Sequence, residues 1–182
     1  IGICPPLTTT FSDSSFGNVV AWNWDFGDGF GFSSLENPVY IFFQPGDFDV
    51  SLIVTHEDGC QDTLLKPAYV QVAGPTGDFA VTPQNVCLGD SVCLTANTIG
   101  AVSATIDFRD GNAFNFTGLS GLNDTLTSCH LYQNAGTYSP VVILEDAQGC
   151  VFEVTSPDQT SVFALPQAEI APLDTAGCLP MA

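Results

Sequence analysis

The pair Gly59-Cys60 returns as Gly149-Cys150, 150 − 60 = 90 residues later, and Gly46 returns at the same offset as Gly136. Cys4 has its counterpart in Cys87 (87 − 4 = 83) and Asp25 in Asp107 (107 − 25 = 82), so the second copy holds 90 − 82 = 8 extra residues between Gly111 and His130. A period of this size sets the folding unit, because each copy must form its own core from roughly 85 residues. A third copy has just begun. Pro166 precedes Cys178 by the 12 positions that separate Pro75 from Cys87, and Glu169-Ile170 stands where Asp78-Phe79 does. The expected organisation is one unit over 1–73, a divergent one over 74–165 with an inserted loop near 112–129, and the start of a third over 166–182. On this reading Cys178 is the seventh, unpaired cysteine of a piece of a longer array. With no Met-initiated signal segment, a mature or excised form is expected.

Within each copy the hydrophobic pattern has period 2. Phe48, Val50, Leu52 and Val54 alternate with Asp49, Ser51, Ile53 and Thr55, and Tyr138, Pro140, Val142 and Leu144 repeat the run. Further strands are expected over 8–12, 19–25, 39–43 and 63–72, then over 79–82, 91–96, 103–108, 126–132 and 151–162. No stretch combines period 3.6 with helix caps. Six or seven short strands per copy predict an all-β fold of tandem immunoglobulin-like sandwiches. Trp22-Asn23-Trp24-Asp25-Phe26-Gly27-Asp28-Gly29 reads as a strand with both indoles on one face, running into an acidic turn. Ile106-Asp107-Phe108-Arg109-Asp110-Gly111 is its degraded copy.

Twenty acidic residues face two basic ones, Lys66 and Arg109, for a net charge of −18. That excludes nucleic acid, whose binding needs cations to displace phosphate counterions, and it disfavours an anionic membrane surface. Saline surroundings would screen the self-repulsion. No apolar run is long enough for membrane insertion. Seven cysteines against two histidines point to disulfides and an exported, extracellular, oxidising location. Repeat logic pairs Cys4 with Cys60 and Cys87 with Cys150. Cys93 and Cys129, present only in the second copy, are expected to bridge its two sheets and offset Ala104 and Ile106, which replace the two tryptophans.

Trp24-Asp25-Phe26-Gly27-Asp28-Gly29, Asn37-Pro38, and Pro45-Gly46 with Phe48-x-Val50-x-Leu52-x-Val54 resemble the PKD (polycystic kidney disease) domain over residues 1–73. Residues 75–165 resemble it more loosely: Arg109 replaces a glycine and the tryptophan is missing, while His130-x-Tyr132-x-x-x-Gly136 keeps the later motif. The flanking cysteines and Gly59-Cys60-x-Asp62-Thr63 are similar to tandem PKD arrays in very large surface and secreted proteins of Bacteroidota. The resemblance implies a seven-stranded sandwich serving as an extracellular stalk or adhesin module, often exported by type IX secretion.

Candidate chemistry is sparse. Asp25, Asp28, Asp107 and Asp110 are either calcium ligands or, the favoured reading, caps for the N–H groups of their own turns. Neither carboxylate pair in a sandwich turn makes a glycosidase cleft. His56 and His130 accompany no nucleophile, so no catalytic residue and no cofactor are assigned. Trp22 and Trp24 read as core residues before they read as a sugar platform. Phe114, Phe116, Leu119 and Leu122 in the insertion either dock on a neighbouring repeat or subunit or fold back on their own sandwich. Asn115 and Asn123 match N-glycosylation sequons. Thr63, Ser91, Thr125 and Thr175 follow Asp in the manner of Bacteroidota O-glycosylation motifs. The function expected is a non-enzymatic structural or adhesive module of a bacterial fibre or stalk, with self-assembly into a multi-stranded filament as an extension. The alternative is an accessory binding module of a secreted hydrolase. The partners expected are neighbouring repeats, a second copy, and a cell-surface or glycan ligand.

Overall fold

A computed structural model describes residues 3–170. Most of 166–182, with Thr175 and Cys178, lies outside the described residues. The first part of the chain runs through β1 (Leu7–Thr10), β2 (Val19–Asp25), β3 (Phe32–Ser33), β4 (Val39–Phe42), β5 (Gly46–His56) and β6 (Gln61–Val72). These form one sheet in the order β3-β2-β5-β6 and a second, two-stranded one, β1-β4. Their inner faces bury Phe11, Trp24, Phe26, Phe42, Phe48, Val50 and Leu52. The alternation along β5 sets this core, with Phe48, Val50 and Leu52 inside and Asp49 outside. Trp24 is in the core, but Trp22 is only half-buried, and its Nε1–H donates to Asp13 Oδ2 at 2.7 Å.

The second part contains β7 (Thr76–Thr82), β8 (Asn85–Cys87), β9 (Val92–Ile99), β10 (Ser103–Asp107), β11 (Ala113–Thr117), β12 (Asn123–His130), β13 (Gly136–Tyr138), β14 (Val141–Glu145), β15 (Val151–Thr155) and β16 (Thr160–Phe163). Sheets β11-β10-β14-β15 and β12-β9-β7 enclose a separate core that includes Phe79, Val81, Leu94, Ile106, Phe108 and Leu144. A third sheet, β13-β16-β8, closes one end. The chain is an all-β sandwich protein, and no helix occurs among the described residues.

Several expectations need correction. The run 138–144 is two strands in two sheets, parted at Ser139-Pro140, and 151–162 is likewise parted at Ser156-Pro157. Neither proline can donate to a ladder. The first part bends at the corresponding place with a bulge, where Ala68, at φ 46°, donates its N–H to Asp49 Oδ1 at 2.7 Å. The expected loop at 112–129 is largely strand: β11 extends the sheet beside β10, and 123–129 belongs to β12.

The cysteines pair differently from repeat logic. Cys4 is bonded to Cys150, and among the described residues Cys60 and Cys87 are free and exposed. Ile3 lies beside Val72, whose partner Gly46 opens β5, whereas Cys60 follows His56 at the other end of that strand. Eleven residues of strand hold those ends roughly 30 Å apart, while a disulfide needs Cα atoms within about 7 Å. Cys150 is reachable because the β14–β15 hairpin abuts the linker, and a Cβ on Gly74 would stand 3.8 Å from that of Cys150. Cys93 and Cys129 are bonded, but as directly opposed residues of neighbouring strands β9 and β12, not across the sheets.

Candidate functional site: carboxylate turns, an open groove and two free thiols

The acidic turns are closed structures. Asp25 Oδ1 accepts from Gly27 N–H, Asp28 Oδ1 from Phe30 and Gly31 N–H, Asp107 Oδ1 from Arg109 N–H and Asp110 Oδ1 from Asn112 N–H. The second aspartate of each turn also takes an aromatic partner from across the sandwich. Tyr40 OH donates to Asp28 Oδ2 at 2.5 Å, and His130 Nε2 stands 2.6 Å from Asp110 Oδ2. The rings stack on the phenylalanine of the same motif, Tyr40 on Phe26 with centroids 4.1 Å apart and His130 on Phe108 at 4.6 Å. Offsets of 82 for the aspartates (110 − 28) and 90 for the rings (130 − 40) make these one arrangement built twice. Each of the four aspartates considered for calcium thus spends one carboxylate oxygen on its own turn, and Asp28 and Asp110 give the other to these rings. Among the described residues no three His, Cys, Asp or Glu gather as metal ligands.

Burial opposes ionisation of Asp28, but the Tyr40 hydroxyl and the Phe30 and Gly31 N–H groups outweigh it and hold its carboxyl below 3.8. Asp110 is likewise opposed by burial and lowered on balance by His130 and Asn112. Burial and Asp28 push the Tyr40 phenol up to about 12. A depressed folded value means stability that is present above the ordinary carboxylate range and lost as pH falls through the folded pKa. Urea midpoints should therefore drop as pH is lowered below about 4, and less so in Asp28→Asn/Asp110→Asn. Tyr40→Phe keeps the stack but leaves Asp28 short of a donor, and should cost about 1–3 kcal/mol at neutral pH. An unchanged midpoint would remove the hydroxyl from the account.

The first sandwich is open along one side. Residues 61–69 of β6 are all exposed, and among the described residues β1 has a partner only in β4. Between β6 and the stretch 10–16 lies a groove of about 780 Å³. Phe11, Trp24, Val50 and Leu52 contribute its apolar floor, while Asp13, Asp62 and Lys66 stand at its rim. Lys66 Nζ sits 4.5 Å over the Tyr69 ring. His56 lines the groove at its hairpin end, with Nδ1 3.2 Å from Asp58 Oδ2. Sequence reading missed this groove, whose signal was the run of strand residues in β6 with no buried partner face.

The apolar residues of the insertion divide. Phe116 and Leu119 pack on the second core, Phe114 is 42% exposed and meets Phe108 edge-on, and Leu122 is 72% exposed. Asn115, Asn123, Thr63, Ser91 and Thr125 are all exposed, although Asn115 Oδ1 accepts from Thr105 Oγ1 at 2.7 Å.

Comparison with known proteins places one family on this framework. Residues 4–72 match the family model of the PKD domain. The match spans all six strands of the first sandwich. Among solved structures, the chain is similar to the fibronectin(III)-like modules of Clostridium thermocellum CbhA, with 16% identity over 93% of this chain and 94% of that one and a TM-score of 0.33. It is also similar to a carbohydrate-binding module from the β-sandwich superfamily, with 15% identity over 87% and 93% and a TM-score of 0.34. The two disulfides suit an oxidising environment, and among the described residues no helix is long and apolar enough to cross a membrane.

Proposed function

We propose that the chain is a non-enzymatic structural module, a length of a tandem array of PKD-type sandwiches in an extracellular fibre or cell-surface stalk. The observation that carries this reading is the bond from Cys4 to Cys150 beside Gly74-Pro75. Sandwiches joined by one linker move relative to each other by default. A second covalent tie next to the linker turns that hinge into a splint, which suits a spacer and has no use in a reaction. The acidic surface keeps such units apart except where specific contacts form. Electron microscopy of the native, full-length protein tests the reading. Beaded fibres or stalks are the expected result. Compact particles carrying a catalytic domain would overturn it and put the hydrolase-accessory role in its place.

A further inference from the structure

We propose that the first sandwich binds a small quaternary ammonium cation, a free trimethylammonium compound of the choline type, in an aromatic pocket between its acidic turn and the end of β4. The site is independent of the fibre reading and holds whether or not the units form a fibre.

The pocket has a volume of about 300 Å³, at the small end of the roughly 300–1,000 Å³ of ligand sites. Four rings line it, Phe30, Tyr40, Phe43 and Phe48, together with the Asp28 carboxylate and the Gln44 amide. Its inner rings are held in place. Tyr40 stacks on Phe26 and Phe48 on Phe42, with centroids 4.1 and 4.7 Å apart. The acidic turn is fixed beside them, because Asp28 accepts from Phe30 and Gly31 N–H and a Cβ on Gly31 would run into the Tyr40 ring. The outer rings, Phe30 and Phe43, are 81% and 69% exposed. Rings so open to water add little to the core, and the second sandwich does without them. At offsets of 82 and 90 it keeps the framework as Asp110, His130 and Tyr138, but Asn112 and Gln133 stand where Phe30 and Phe43 do. The stacked inner rings therefore belong to the fold, and the outer pair is an addition in the first sandwich alone.

Electrostatics selects the occupant. Ring faces carry the negative part of the aromatic quadrupole and attract cations. Burial opposes ionisation of Asp28, but its hydrogen-bond donors outweigh burial, so the carboxylate is charged at neutral pH. Neither basic residue of the chain lines the pocket: Lys66 lies over Tyr69, and Arg109 is paired with Glu153. The cation that fits comes from outside, drawn by a net charge of −18. Hydrogen bonding decides which one. Phe30 N–H, Gly31 N–H and Tyr40 OH take three of the roughly four acceptor positions of Asp28. A primary ammonium brings three N–H donors and would give up water for one remaining lone pair and the Gln44 carbonyl. A trimethylammonium group has no N–H to satisfy and lays its methyl groups against the rings. A phosphate on the same molecule would be repelled by the chain's charge, which favours the free cation over a lipid headgroup.

The test is a titration of the isotopically labelled chain with choline chloride, followed by amide NMR shifts at constant ionic strength. Saturable shifts are expected at Phe30, Gly31, Phe43 and Gln44, and none at Asn112 or Gln133. The neutral carbon isostere of choline, methylammonium and phosphocholine should each bind about tenfold more weakly or worse. Phe30→Leu and Phe43→Leu keep an apolar side chain but remove the π face. Each should weaken choline about fivefold or more and leave the urea midpoint unchanged, since both rings are exposed. No saturable shift, or Leu variants that bind as the wild type does, would overturn the proposal. Equal binding of the neutral isostere would reduce the site to hydrophobic contact, and equal binding of methylammonium would reduce it to charge pairing with Asp28; either result overturns it. Phosphocholine binding as tightly as choline would overturn the assignment to a free cation and make a lipid headgroup the ligand.

Discussion

Gly27→Ala should unfold the first sandwich and leave the second intact. Gly27 sits at φ +77°, and a Cβ there would lie 2.1 Å from the backbone oxygen of Asp49. That oxygen belongs to the bulged segment of β5, whose neighbour Ala68 is tied to the Asp49 carboxylate, so nothing nearby can give way. Left-handed strain and a backbone clash together should cost roughly 3–5 kcal/mol, a large share of the 5–15 kcal/mol of a typical domain. Trp22 and Trp24 are the chain's only tryptophans and both lie in the first sandwich, so their fluorescence reports it alone. The early transition should appear there, followed by a second one visible only to circular dichroism. Gly29→Ala is the control: it has φ +80° but no atom within 4 Å of the added Cβ, and should cost about 1 kcal/mol. Equal losses from the two variants would show that the close approach to Asp49 is irrelevant.

Removing the inter-sandwich bond with Cys4→Ala/Cys150→Ala should be at least as damaging. The bond closes a sequence separation of 146, for which the chain-entropy account gives about 5 kcal/mol. Reductant would also open the bridge between Cys93 and Cys129, so the double variant is the clean comparison. A loss of that size corresponds to a fall of about 10–20 °C in Tm. Small-angle scattering should show the variant sampling bent shapes at temperatures where both sandwiches remain folded. A variant that scatters as the wild type does would mean that Gly74-Pro75 alone fixes the angle, and the splint argument would fall.

What was legible in the sequence was whatever depends on local pattern. The alternation from Phe48 to Val54 marked β5, and Val19–Asp25 was read to its ends, because side-chain period and turn residues specify strands directly. The breaks at Pro140 and Pro157 are hidden by an alternation that runs on through them, and only the absent proline N–H marks them. The clue in Arg109 makes sense only with that break. It occupies the position of Gly27 at φ 59°, and the chain opposite it parts at Ser139-Pro140 where the first sandwich brings Asp49 close. Arg109 then reaches Glu153 at 3.0 Å. The cysteine pairing was beyond repeat logic, since equivalence between copies does not say which copy supplies the partner. The length of β5 contained the answer, because Cys4 and Cys60 lie at opposite ends of it. The pairing of Asp28 with Tyr40 and of Asp110 with His130 was recoverable from the two offsets, but only once a carboxylate in a turn was asked what crosses above it.

The bond between Cys4 and Cys150 also decides how a pull is transmitted. Tension applied on either side of residues 3–170 enters at Ile3 and Cys4, crosses the sulfur bridge, and leaves through β15 and β16. The first sandwich, the linker and most of the second hang outside that line of force, inside a covalently closed loop. Stretching can peel β15 and β16 from their sheets, about twenty residues of slack at roughly 3.4 Å each. It cannot draw out the rest until the disulfide is cut, so under load the oxidation state of one bond would set how far this stretch of chain can lengthen.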